Sequence, residues 1–505
     1  MNSKHELEEA VRRNPGAVAQ VREILRKQQK AKPNRGGDGA TAYTMPSASE
    51  TPPPAERPML ISPLTEERLA QEFEAQHEGK LLYDHQRQRW YELDERGYWV
   101  LNETRLAFHN ARQICRSLNV EAKKEFARAG TYSGVETICQ RSPIFAVTSD
   151  QWNPDISLLG TPGDVVDLRT SEMRPALAED FITKRTNVAP DFEMKAPVFE
   201  KFLAEITHDD AELQRFLQRI AGYALTGEIR EQKLFFLYGP GNNGKTVFVN
   251  TIAKCAGDYA KTATMEVFVE KRGERHTTDL AMLAGARLVT ASETKEGRKW
   301  DEALIKQVTG GDAITCRFLY HDNFTYAPSF TLLIIGNYAP ELKSVNEANR
   351  RRLVIIPFTF RPGNDKEDKK LEDKLREEYP AILAWMIRGA GDWYMHGLGD
   401  TPKVVLDETA DYFEEQDRIK AWVDECCYVG PNRFDASANL FQSYVAWCKR
   451  NHTEPVSQNA LTRTLRADHG CERDRAGGTG ARQIQGIAVK VYSESDPRTG
   501  EREED

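Results

Sequence analysis

Long apolar runs are missing from this sequence. No stretch approaches the roughly 20 residues that cross a bilayer as a helix, and the opening Met1-Asn2-Ser3-Lys4-His5-Glu6-Leu7-Glu8-Glu9 lacks the apolar core of a secretory signal. Both absences exclude a membrane-spanning role and predict a cytoplasmic chain without membrane partners. Paired cysteines are missing too. The eight cysteines, at 115, 139, 255, 316, 426, 427, 448 and 471, form no Cys-x-x-Cys, which argues against a zinc ribbon. Adjacent Cys426 and Cys427 read as core-facing thiols on a helix. An excess of positive charge is the third absence. Over 505 residues the net charge is −8, with 40% hydrophobic and 29% charged residues. That composition excludes a protein that coats nucleic acid over its whole surface and leaves room for a local basic track.

What is present is concentrated in one stretch. Leu234-Phe235-Phe236-Leu237-Tyr238 has strand character, and Gly239-Pro240-Gly241-Asn242-Asn243-Gly244-Lys245-Thr246 follows at once. Residues 247–254 then read as the start of a helix. Strand, Gly-x-x-x-x-Gly-Lys-Thr, helix is the context a P-loop requires. Glycines let backbone N–H groups curl around an anion, and the helix N-terminus adds unpaired donors and partial positive charge. The expected nucleotide-binding residues are therefore Gly239, Pro240, Gly241, Asn242, Asn243, Gly244, Lys245, Thr246 and Val247. Lys245 would reach the β- and γ-phosphates of ATP, and Thr246 would hold Mg²⁺ through its hydroxyl.

The chain length suits two to four domains. Residues 1–58 read as an N-terminal helix and a flexible linker rich in Gly, Pro, Ala, Ser and Thr. An α+β domain is expected over 59–198, with a capped helix at 62–77, a hairpin in which Trp90 and Trp99 face the core, and a helical pattern across 104–129. A helical collar segment over 199–232 reads as one amphipathic helical region from 199 to 226. From 233 to 400 buried strands at 287–291, 331–335 and 353–356 alternate with helices, the pattern of a mostly parallel sheet covered on both faces. Residues 314–321 and 324–327 are expected to pair as a hairpin about Asp322-Asn323. A helical connector (401–434), a winged-helix-like domain (435–493) and a charged tail (494–505) complete the division. In the window 449–482, seven Lys/Arg stand against four Asp/Glu, which leaves DNA contact there open.

Several stretches in fixed order resemble a known group. They are the Gly239–Thr246 motif, Leu288-Val289-Thr290-Ala291-Ser292-Glu293-Thr294, Ile305-Lys306-Gln307-Val308-Thr309-Gly310-Gly311-Asp312, Arg317-Phe318-Leu319-Tyr320-His321, Ile335-Gly336-Asn337, and Arg350-Arg351-Arg352-Leu353-Val354-Ile355-Ile356-Pro357-Phe358. Together they resemble the superfamily 3 helicase half of phage and plasmid primase–helicases, the group related to the poxvirus primase-helicase. Residues 159–170 and 221–227 resemble that family's pre-helicase region. The resemblance implies an α/β fold with an AAA+-like P-loop ATPase core, an N-terminal α+β pre-helicase domain, and a ring, usually hexameric, with ATP at subunit interfaces. It implies Glu293 as the acid that polarises the attacking water and helps hold Mg²⁺, and Asn337 as the sensor that positions this water. Arg351 or Arg352 would be the arginine finger reaching a neighbour's γ-phosphate. Lys306, Arg317, His321 and Phe324 would contact single-stranded DNA in the central channel.

Two departures qualify the likeness. His321 stands where the family often carries lysine, and Ser292, not aspartate, precedes Glu293. The residues before 59 are too few for a polymerising domain, so any primase or polymerase is expected as a separate partner. The function expected is a replicative DNA helicase of a mobile element in a bacterial host cell, acting on single-stranded and forked DNA. An ATP-switched origin-binding initiator or loader, or a defence or regulatory ring ATPase, would retain the same loop.

Overall fold

The computed structural model describes residues 64–490, apart from 271–276, 293–297, 320–321, 343–344, 362–367, 469–470 and 476–481. Helix α1 (Glu66–His77) starts at Thr65, whose hydroxyl accepts from Arg68 N at 3.1 Å. Strands β1 (Leu81–Asp84), β2 (Arg89–Leu93) and β3 (Trp99–Leu101) form an antiparallel meander, with Trp90 and Trp99 both buried as expected. The helical pattern across 104–129 is realised as a continuous α-helix only as far as Leu118. Helix α2 (Leu106–Leu118) ends where the Asn119 amide bonds both Lys123 O and Lys123 N at 2.9 Å, a local side-chain ring that competes with helical bonding. Helix α3 (Ala129–Gln140) follows beyond that span and packs with α1 and α2 around Leu69, Phe73, Ile114 and Val135.

Strand β4 (Ala146–Val147) joins β1 in parallel, and β5 (Leu158–Gly160), β6 (Val165–Asp167) and β7 (Met173–Arg174) form a small antiparallel sheet. The collar region is two helices, α4 (Pro197–Ile206) and α5 (Ala211–Thr226). His208 and Asp209 take left-handed φ of 51° and 59°, and Asp210 caps α5 through Glu212 N and Leu213 N. Buried Glu378 supplies the missing acceptors at the start of α4, taking Val198 N at 2.9 Å and Phe199 N at 2.8 Å.

The centre is a five-stranded sheet built from β8 (Leu234–Tyr238), α6 (Lys245–Ala256), β9 (Ala260–Thr264), α7 (Thr278–Ala281), β10 (Leu288–Ser292) and α8 (Glu302–Gly310). The chain continues through β11 (Ile314–Cys316), β12 (Phe324–Tyr326), β13 (Thr331–Gly336), α9 (Glu347–Arg350) and β14 (Leu353–Pro357). The order β14-β8-β13-β10-β9 is parallel throughout. Side chains alternate between two cores: Phe235, Leu237, Leu333, Ile335, Val354 and Ile356 face one side, while Leu234, Phe236, Leu332, Ile334, Leu353 and Ile355 face the other. Both faces are covered, as the near-continuous apolar strands predict. The β11–β12 hairpin forms, but its strands are shorter than expected and the connection spans 317–323.

Helices α10 (Leu371–Glu377) and α11 (Tyr379–His396) cover the first face. Where α11 crosses α5 the backbones nearly touch: a Cβ on Gly222 would lie 2.0 Å from Ala390 N, and one on Gly389 2.1 Å from Gln218 O. Helix α12 (Lys403–Gln416) packs on β14. Helix α13 (Arg418–Cys426), β15 (Cys427–Ala436), α14 (Ser437–Arg450), α15 (Gln458–Asp468), β16 (Glu472–Arg475) and β17 (Arg482–Val489) follow, with an antiparallel sheet ordered β15-β17-β16. Ile419 and Trp422 share a core with Leu440, Tyr444, Leu461 and Ile487, so α13 packs with the C-terminal elements. Cys426 and Cys427 are both buried free thiols, the second on a strand rather than a helix.

Candidate functional site

Strand β8 is an interior strand, wholly apolar up to Tyr238, so its carboxyl end delivers the 239–244 loop between β14 and β13. In open parallel sheets this is where ligands bind. Gly239 has φ 147°, and a Cβ there would lie 2.2 Å from Phe358 O; Gly244 has φ 85°, and a Cβ would lie 2.5 Å from Ile206 Cγ2. Only glycine fits either position. Around Gly241 a Cβ would meet nothing within 4 Å, so open space adjoins the loop there.

Lys245 begins α6 and folds back into the loop. Its Nζ donates to Gly239 O at 2.6 Å, Pro240 O at 3.0 Å, Asn243 Oδ1 at 2.9 Å and Asn337 Oδ1 at 3.3 Å. Only 3% of Lys245 is exposed, and this desolvation pulls its ammonium down to about 8. The group is a buried cation satisfied by neutral oxygens, with no carboxylate among those partners. Asn243 is satisfied on both sides, since its Nδ2 donates to Phe358 O at 2.6 Å. Asn337 reaches the site because β13 is the neighbour of β8, with Gly336 in register with Tyr238. Thr246 is exposed on the first turn of α6, and Val247 is half-buried.

The expected acid, Glu293, lies outside the described residues. Ser292 before it ends β10 in register with Ile335 of β13, at the same carboxyl edge of the sheet. Among the described residues no group of three His, Cys, Asp or Glu converges as a metal cluster.

Arg351 and Arg352 precede β14 and so stand at the opposite end of the sheet, about 20 Å along the strand direction from the loop at ~3.3 Å per residue. The two differ. Arg352 is buried, with Nε donating to Thr309 Oγ1 at 3.2 Å and Nη1 to Ala348 O at 2.8 Å, and burial lowers its pKa from the usual arginine value. Arg351 is exposed.

The DNA-contact candidates also separate. Lys306 is exposed on α8, and Arg317 is exposed while its carbonyl accepts from Thr278 Oγ1 at 3.3 Å. Phe324 is half-buried between Phe318, stacked at 5.6 Å, and Tyr326 at 6.2 Å. His321 lies outside the described residues. Sequence reasoning passed over Phe318 and Leu319, which are 41% and 61% exposed beside the hairpin; two large apolar residues in a polar turn were the available signal. It also missed the far wall of the loop, where Phe202 and Ile206 meet Gly244 and His208 Nε2 pairs with Thr359 Oγ1 at 3.1 Å. No local pattern connects those residues.

Comparison with known proteins adds lineage to this geometry. The family described as D5 N terminal like matches residues 66–208, and a family of unknown function, DUF5906, matches residues 237–352. A helicase-named protein of Acanthamoeba polyphaga mimivirus is 25% identical over 321 residues, covering 59% of this chain and 33% of that protein. The chain is a relative of the superfamily 3 primase–helicases. A helicase-named protein of the Sputnik virophage is 28% identical over 204 residues, covering 39% of this chain and 26% of its own length, and one of Frog virus 3 is 24% identical over 286 residues, covering 51% and 29%. The chain thus spans a quarter to a third of the length of these curated relatives. The apo C-terminal region of NrS-1 matches with a TM-score of 0.48 at 10% identity, over 83% of this chain and 98% of that one. These relatives belong to viruses such as mimivirus and Frog virus 3, so the bacterial host expected from the phage and plasmid likeness finds no support in them. Among the described residues no helix is long and apolar enough to cross a membrane.

Proposed function

We propose that this chain is the motor of an ATP-driven DNA helicase, working as a ring, hexameric by family resemblance, that moves on single-stranded DNA and opens duplex at a fork. The observation that carries the reading is the meeting of Lys245 and Asn337 at the carboxyl ends of adjacent parallel strands, beside a loop that admits only glycine at positions 239 and 244. A buried ammonium held by neutral oxygens is poised to exchange them for phosphate oxygens, which suits a nucleoside triphosphate. ATP with Mg²⁺ would supply the free energy of phosphoryl transfer to water.

The chain's own residues then divide the work. Lys245 neutralises charge on the β- and γ-phosphates, and Thr246 offers a hydroxyl to the metal. Glu293 takes the proton of the attacking water, which Asn337 orients. A finger at 351 or 352 lies too far along the sheet to serve its own loop, so it acts on a neighbouring subunit, and the exposed Arg351 is the better candidate. Arg317 and Phe324 on the β11–β12 hairpin, with Lys306 and His321, provide the single-strand contacts. The helix-strand-helix-helix-strand-strand order over α13 to β17 supports a winged-helix-like C-terminal part.

A strand-displacement assay on forked DNA, run with ATP and with a non-hydrolysable analogue, tests the proposal. Displacement only with ATP is expected. Binding without displacement in either state would favour an initiator or loader, and ATP hydrolysis indifferent to DNA would favour a regulatory ring ATPase.

A further inference from the structure

We infer that the exposed face of α2 is a second nucleic-acid contact, a phosphate-binding stripe made by Arg105, His109, Arg112 and Arg116. The inference rests on the helicase reading and adds a surface to it that none of the motifs includes. His109, Arg112 and Arg116 fall at i, i+3 and i+7, which at 100° per residue gathers them within an arc of about 60°, and Arg105 caps the helix just before them. Arg105, His109 and Arg116 are exposed and Arg112 is half-buried. The opposite side of α2 is buried through Ala107, Ala111, Ile114 and Cys115. Not one Asp or Glu occurs among its 13 residues, LAFHNARQICRSL, in a chain where 77 acids outnumber 69 basic residues. Arg112 and Arg116 form no ion pair among the described residues. Arg105 shares its charge with Glu136, and His109 bonds Gln113 Nε2 at 3.1 Å.

Two observations select nucleic acid as the occupant. A helix that binds anionic lipid needs a free apolar face beside its basic one, and the apolar face of α2 is spent in the core. The domain carrying α2 is also anchored at the amino end of the central sheet. Buried Arg287, just before β10, donates to Leu158 O at 3.0 Å and Leu225 O at 2.8 Å, and Tyr259 OH donates to Lys184 O at 3.1 Å. The β11–β12 hairpin runs into β13 at that same end, where Ser329 Oγ donates to Ala286 O at 3.0 Å. The stripe is about 16 Å long at 1.5 Å per residue, enough for several consecutive phosphates of one strand.

The test uses the full chain and fluorescent single-stranded and duplex DNA, with affinity measured from low to moderate salt. Arg112→Ala/Arg116→Ala should lower the slope of log K against log salt by about 1.4 on single strands and 1.8 on duplex, the values for two lost phosphate contacts. The paired lysine substitutions should restore it, and the melting temperature should not move. Wild-type binding with an unchanged slope in the alanine variant would overturn the stripe while leaving the helicase reading intact. A wild-type chain that bound no DNA would overturn both. Loss of binding to phosphatidylserine vesicles, with DNA binding retained, would assign the stripe to a membrane and refute the inference.

Discussion

The ammonium of Lys245 lies 3.3 Å from the Oδ1 of Asn337, although 92 residues separate them in sequence. The contact exists because β8 and β13 are neighbours in register, so the loop after one strand and the first residue after the other share a corner. Chemistry attributed to either residue is therefore open to influence from the other.

The first prediction concerns pH. Burial lowers Lys245 to about 8, so its charge is present near pH 7 and is lost as pH rises through that value. ATP affinity should weaken by about tenfold between pH 7 and pH 9, the loss a single required proton dictates. Lys245→Ala should abolish binding over the whole range. Calorimetry showing tight ATP binding to the wild-type chain with no pH dependence would take Lys245 away from the phosphates.

Asn337→Ala and Glu293→Gln should separate binding from hydrolysis. Neither change removes a cation from the loop, so ATP should stay bound. Turnover should fall by about 10²–10³ in the first variant, the cost of losing one oriented polar group, and further in the second. A Glu293→Gln chain that hydrolysed ATP near the parental rate would show that the acid lies elsewhere.

The two arginines should behave differently. Arg351→Ala should leave the melting temperature unchanged and reduce ATP turnover by about 10³–10⁵, as for fingers in other phosphate-loop systems. Arg352→Ala should destabilise the fold by about 2–3 kcal/mol, since it strips donors from buried Thr309 and from Ala348. Mixed rings of Lys245→Ala and Arg351→Ala subunits should recover activity, because some interfaces then join an intact loop to an intact finger. Verified mixed assembly without recovery would count against a trans-acting Arg351.

Acid stability provides a test away from the site. Asp392 on α11 binds Arg215 at 3.0 Å and Arg219 at 2.6 Å on α5, and these guanidiniums hold its carboxyl well below the usual range. A depressed carboxylate stabilises the fold above its unfolded pKa near 3.9 and loses that contribution as pH falls toward the folded value. Asp392→Asn should thus melt lower than wild type by a constant amount from pH 8 to 5. The gap should begin to shrink below about pH 4 and keep shrinking to the lowest pH at which the chain still folds. A gap of the same size at pH 5 and pH 2 would mean that packing, not charge, links the two helices.

Local order was legible in the residues alone. Mostly apolar runs of five or six residues bounded by turn formers announced β8, β10, β13 and β14, because a strand buried on both faces has room for few polar groups, such as Thr290, whose hydroxyl pairs with Thr262. The glycine loop was equally plain, since its conformation depends on a few adjacent residues. Helix breaks were harder. Asn119, His208 and Asp210 end or start helices through bonds that amphipathic periodicity does not register. Tertiary structure alone decided the rest. It set Arg351 apart from Arg352 by burying one guanidinium, brought Asn243 to the carbonyl of Phe358, and pressed Gly222 against Ala390. It also gathered His208 and Thr359 at the wall of the loop. Each of these depends on which strands and helices become neighbours, and neighbourhood is settled by packing across the whole sheet rather than by the residues on either side in the chain.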